Sequence, residues 1–175
     1  HKVSIKKILT VGVIANAVLL GIILAIFMVN NGRLWTKIEN MISIDQALLL
    51  NITDMYAQGL QTGQATRNIL LNPNDEKAKE NYKDAHEGFV KANDECIKLS
   101  SERTQAECRK VKALWDEDHN LKTEAQSLTI SGKRNEAIAL LTHKETPKWR
   151  EIRNTLLELM KKQRSRFKEK LGDYR

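Results

Sequence analysis

Hydrophobic residues fall into two patterns along this chain. From Ile8 to Val29 the run ILTVGVIANAVLLGIILAIFMV holds 22 residues without one charge. At about 1.5 Å per helical residue it reaches about 33 Å, enough to cross a hydrocarbon core of about 30 Å. A cleaved signal peptide has a shorter apolar region and a small-residue cleavage site, whereas Asn30-Asn31-Gly32-Arg33 follows here. The run is therefore expected to be an uncleaved transmembrane helix, with residues 1–7 as a cytoplasmic N-terminus. Beyond it, apolar residues recur three and four apart with polar residues between them, the signature of amphipathic helices.

Leu34, Ile38, Met41, Ile42, Leu48, Leu49, Ile52, Met55, Tyr56, Leu60, Ile69 and Leu70 predict one helix over residues 32–71, continuous with the span. Asn72-Pro73-Asn74-Asp75 stops it, since proline disfavours helix in the residue before it and Asp75 can cap the next helix. In residues 75–100, Ala78, Tyr82, Ala85, Phe89, Ala92, Cys96 and Leu99 step by 4, 3, 4, 3, 4, 3, a heptad seam. After a polar turn, residues 104–131 carry Cys108, Val111, Leu114, Trp115, Leu121, Ala125 and Leu128 on one side. A fourth helix over 135–172 starts with Ala137, Ile138, Leu140 and Leu141. It meets Pro147 and resumes through Trp149, Ile152, Leu156, Leu159, Met160, Phe167 and Leu171. Pro147 either kinks this helix, exposing the carbonyl of His143, or marks a short break. The expected fold is all-α, an N-terminal transmembrane helix continuing into an antiparallel up-down-up-down four-helix bundle over residues 30–175.

Charge adds orientation. The chain has 29 Lys plus Arg against 22 Asp plus Glu, for +7. Lys2, Lys6 and Lys7 precede the span, and the remainder carries 26 minus 22, or +4. The lysines favour a cytoplasmic N-terminus and an exported bundle, although Arg33 and Lys37 on the other side weaken the asymmetry. The mild excess, without an arginine stripe and interleaved aromatics, does not suit a nucleic-acid binder. The chain opens on His1 and is read as part of a longer protein.

Cys96 and Cys108 lie nearly symmetrically about Glu102, so in an antiparallel hairpin they would be level. They are expected to be a disulfide pair or two buried thiols. His86 and His119 are also nearly level, with Asp84, Glu87, Asp116 and Asp118 close in sequence, which raises a metal site. Ten residues back from Cys96 turn His86 about 80° off the apolar face, so the rings are not expected to converge. No metal or other cofactor is assigned. Asp118, on an apolar stripe, is expected at an edge rather than in a buried pair. The run from Lys161 to Arg166 reads as a solvated face. Ala17-x-x-x-Gly21 permits close approach of two spans, and Asn16 beside it can bond across them, which favours a homodimer. No nucleophile, base and orienting group are spaced together, so no enzyme is expected.

The phrases GQATRNILLNPNDEKAKENY at Gly63–Tyr82 and SGKRNEAIALLTHKETP at Ser131–Pro147, behind a membrane span, resemble the four-helix-bundle sensor domain of bacterial methyl-accepting chemotaxis proteins. The resemblance implies an inner-membrane receptor with a periplasmic, dimeric bundle that binds a small molecule. Output then passes through a second span to a cytoplasmic kinase pathway. Its pocket would be formed by Gln64, Arg67 and Asn68 on helix one with Thr142, His143, Thr146 and Lys148 around Pro147. Arg67 suits an anionic organic acid, because a guanidinium grips a carboxylate through two parallel hydrogen bonds. Aspartate-sensing members use several arginines on helix one; Gly59, Gly63 and Gln64 stand there instead, so an amino acid fits less well. The same module precedes histidine kinases and cyclic-dinucleotide enzymes. An anchored interaction or structural module without a ligand is the remaining alternative.

Overall fold

A computed structural model describes residues 5–172. Lys2 and Asp173-Tyr174-Arg175 lie outside these, as do the side chains of Lys6, Ile8 and Leu171. The described residues are helical, without a strand. They form α1 (Ile5–Leu71), α2 (Glu76–Leu99), α3 (Glu102–Ile130), α4 (Arg134–Leu140), a π-helical turn (Leu141–Glu145) and α5 (Thr146–Gly172). The chain divides into two units, His1–Ser43 and Ile44–Arg175.

In the first unit, the helix from Leu9 onward holds a window of mean hydropathy 2.7 with none of it buried. By length and composition it can cross a membrane. Asn16 donates its amide to the Gly12 carbonyl one turn back, at 3.1 Å.

In the second unit every long helix carries a buried 3–4 seam. On α1 it comprises Asp45, Leu48, Ile52, Met55, Gly59, Thr62, Thr66 and Ile69. On α2 it follows the expected Ala78, Tyr82, Ala85, Phe89, Ala92 and Cys96. On α3 it passes through Thr104, Cys108, Val111, Trp115, Asp118, Lys122, Ala125 and Thr129, while Leu121 and Leu128 are only half-buried. The π-helical turn contributes Glu145, and α5 contributes Ile152, Leu156, Leu159 and Gln163. One apolar cluster joins Met55, Phe89, Val111, Trp115, Ile152 and Leu156 among others. A second, smaller one joins Ala65, Ile69, Ala78 and Tyr82. Fully burying each large apolar side chain contributes about 1.5–3 kcal/mol.

Local chemistry sets the helix ends. The Asp75 carboxylate accepts from the Ala78 backbone N–H at 2.9 Å and starts α2. At the end of α3, Lys133 N–H reaches the Leu128 carbonyl and Gly132 N–H reaches Thr129, the paired bonds of a Schellman motif. Gly132 holds φ at 79°, a left-handed conformation that glycine adopts without strain.

Two expectations need correction. At Pro147 the chain neither breaks nor leaves a gap between helices. It widens into the π-helical turn just before, with Thr146 N–H bonded to the Leu141 carbonyl five residues back. Proline lacks an N–H and crowds the carbonyl four residues earlier, and the wider turn relieves both. The Lys161–Arg166 run is not wholly solvated either. Gln163 is buried and donates to Asp45 Oδ1 at 3.1 Å, and Arg166 donates to Thr104 Oγ1 at 2.9 Å.

Candidate functional site

A cavity of about 370 Å³ opens where α1, α3 and the π-helical turn meet. Gly59, Leu60, Gly63, Thr66 and Arg67 line it from α1, and Lys122 lines it from α3. Leu141, Thr142, Glu145, Thr146 and Trp149 close the other side. Of the seven residues anticipated for a ligand, Arg67, Thr142 and Thr146 are therefore brought together. Gln64, Asn68 and His143 are exposed and outside this lining. Lys148 turns to Glu117 instead, at 2.6 Å, and that hydrogen bond raises its affinity for its proton.

Glycines on α1 make the space. Trp149 lies so close to Gly59 that an added Cβ would stand 2.2 Å from the indole ring. Gly63 has open space around it, and Arg67 donates back to its carbonyl at 3.3 Å. Gly59→Ala is expected to displace Trp149. Overpacking costs about 1–3 kcal/mol and helix propensity returns about 1, giving a net loss of up to about 2 kcal/mol. A red-shifted tryptophan emission together with a lower urea midpoint would register it; an unchanged spectrum would contradict it.

Behind the cavity sits a polar group that the pattern of apolar residues did not reveal. Lys122 is 1% exposed and Asp118 is fully buried, with Nζ and Oδ2 2.5 Å apart. Lys122 also reaches Glu145 Oε1 at 3.3 Å and donates to Thr62 Oγ1 at 3.3 Å. Its ammonium lies 5.3 Å from the Trp115 ring centroid and 5.2 Å from that of Trp149. Both rings offer their π faces to the cation. Asp118 Oδ1 has no hydrogen-bond partner. Burial pushes the Asp118 carboxyl up to about 7, with Lys122 opposing and Glu145 adding to the rise. Two carboxylates thus share one ammonium in a dry layer, which favours retaining a proton. The expected edge position for Asp118 is overturned. Its partner stands one turn on at i+4, and the α3 seam passes through both.

The histidine expectation is also corrected. His86 and His119 converge, their ring centroids 3.8 Å apart and their planes within 19°. Trp115 Nε1 donates to His86 Nδ1 at 3.2 Å, and Tyr82 Oη lies 2.8 Å from His119 Nδ1. These bonds pull both rings across the hairpin from positions at the edge of the seam. No group of three or more metal-ligating side chains occurs among the described residues.

Cys96 and Cys108 are joined sulfur to sulfur, with Cα atoms 6.2 Å apart. Both are fully buried and tie α2 to α3 near their turn. Ser100 donates to the Cys96 carbonyl beside them.

Comparison with protein-family models, curated proteins and solved structures gives no match for this chain.

Proposed function

We propose that this chain is the ligand-sensing module of a bacterial transmembrane receptor of the chemoreceptor class. In this reading residues 8–29 anchor it in the inner membrane and residues 30–175 form a periplasmic sensor domain acting as a homodimer. The helices form an antiparallel up-down-up-down bundle. Supporting this, partners run in opposite order on successive helices, as in Tyr82 with His119 and Asp94 with Lys112. Thr104 with Arg166 and Glu117 with Lys148 repeat the trend on α3 and α5.

The observation that carries the functional reading is the cavity's position. It touches α1 on one side and the π-helical turn on the other. A π turn holds one residue more than an α turn and recurs at functional sites. A ligand seated there contacts both helices, and its differential affinity for two packings would shift the last helix against α1. Arg67 at the rim and Lys122 at the base favour a small anionic organic acid. Output would pass to a cytoplasmic kinase pathway through further parts of the protein, or to a histidine kinase or cyclic-dinucleotide enzyme.

One observation favours a second reading, an anchored interaction module without a small ligand: Lys122 is already held by Asp118, Glu145 and Thr62. Thermal unfolding of the chain in detergent, screened against small mono- and dicarboxylates, separates the two. A ligand at one hundred times its Kd stabilises by about 2.7 kcal/mol. Arg67→Ala, removing a charged hydrogen bond of about 1.5–3 kcal/mol, should weaken binding about ten- to a hundredfold. Equal shifts in both chains would count against the cavity.

A further inference from the structure

We propose that His86, His119 and Trp115 form a proton-operated latch between α2 and α3, through which acid loosens the wall of the cavity. The bonding is directional. An indole N–H only donates, so the bond from Trp115 Nε1 at 3.2 Å requires a lone pair on His86 Nδ1. When His86 is neutral its proton therefore sits on Nε2. A second proton has only Nδ1 to occupy, and there it removes the acceptor from Trp115. His119 differs, because the Tyr82 hydroxyl 2.8 Å from its Nδ1 either donates or accepts. His119 can take up a proton and keep its partner by reversing that bond. His86 cannot.

The charges around the pair come from three elements. Glu87 on α2 and Asp116 on α3 draw a proton toward the rings, while Lys122 on α3 repels it. Asp118 on α3 and Glu145 of the π-helical turn act on the Tyr82 hydroxyl. From α1 comes the uncharged Thr62, on Lys122. Burial outweighs the acidic groups, and both imidazoles are held below the ordinary value of 6.5. A depressed folded pKa means the unfolded chain binds the proton more readily. The pair's contribution is therefore complete above 6.5 and lost as pH falls toward the depressed values.

Trp115 carries the change inward. Its ring stacks on Phe89 at 3.6 Å and lies under the Lys122 ammonium, and Lys122 lines the cavity. Release of the indole N–H thus disturbs the group that positions Lys122. The latch needs no ligand, so it stands or falls apart from the sensor reading.

The test is NMR of the full chain in detergent micelles, following indole N–H and imidazole Cε1–H resonances from pH 8 to 4.5, with Trp35→Phe and Trp149→Phe as assignment aids. The expected result is that His86 and His119 titrate below 6.5. The Trp115 indole resonance should move with the His86 midpoint, and that of Trp35 should not. His86→Gln, whose amide oxygen can still accept, should abolish the Trp115 movement. A Trp115 resonance that stays constant through the His86 titration overturns the proposal. So do His86 and His119 imidazoles titrating at or above 6.5, and either result can be read from the unsubstituted chain alone.

Discussion

Replacing Lys122 with methionine is expected to cost about 3–5 kcal/mol at neutral pH, the usual penalty for breaking a buried ion pair by removing one partner. The stem would be replaced almost isosterically, so the loss isolates the charge. Asp118 and Glu145 would then face each other without the ammonium between them. The penalty should depend on pH in a defined direction. Lys122 now holds the Asp118 proton affinity down, so without it that affinity rises further. The folded variant then binds a proton that the unfolded chain, with an ordinary carboxyl near 3.8, releases. Its stability should therefore improve as pH falls from about 8 toward about 5. Adding Asp118→Asn and Glu145→Gln should recover much of the loss at neutral pH, because the desolvated charges go with the cation. Urea denaturation followed by helical circular dichroism reads all three chains; a loss below about 1 kcal/mol for Lys122→Met would show that the layer is solvated.

Opening the Cys96–Cys108 bond is the second large effect. In the chain-entropy picture a loop of this size contributes about 3 kcal/mol by restricting the unfolded chain. The sequence separation is 12. Reduction should lower the unfolding free energy by that amount and leave the helical signal intact, since the sulfurs lie in a packed cluster with Phe89, Val111 and Trp115. A thiol count on denatured chain purified without reductant should find none free. Two free thiols would remove both the bond and its support for export to an oxidising compartment.

The seam of α2 was legible at Ala78, Tyr82, Ala85, Phe89, Ala92 and Cys96, and only the buried Asn93, which donates to the Cys108 carbonyl at 3.0 Å, lay outside the pattern. The seam of α3 was not. Leu114 is buried as the pattern implies, but hydrophobicity also drew the stripe toward Leu121 and Leu128, which are only half-buried, one column away from the seam that passes through Asp118 and Lys122. Two opposite charges at i and i+4 mimic a solvated surface pair, and only tertiary packing distinguishes a buried one. The 4, 3 spacing of Trp115, Asp118, Lys122 and Ala125 was the available signal. The histidines were missed for a related reason. Helical angle alone places His86 off the face, and the Trp115 and Tyr82 bonds that recruit both rings depend on the neighbouring helix. Proline's effect was foreseen in kind but not in form, since a kink, a break and a π turn all answer one missing N–H. Of the cavity's lining, Arg67, Thr142 and Thr146 were within reach of resemblance. The rest needed the structure, because nothing in sequence marks Gly59 as the seat of Trp149.

Tryptophan fluorescence places a ligand most directly. In a Trp35→Phe chain only Trp115 and Trp149 remain, and the Lys122 ammonium lies over both rings. Titrating this chain with any carboxylate that raises its unfolding temperature should change the emission with the same half-saturation as the thermal shift. Gly63→Leu, which fills open space in the cavity lining, should abolish both signals. A thermal shift that leaves the emission unchanged and survives in Gly63→Leu would contradict a ligand site between α1 and the π-helical turn.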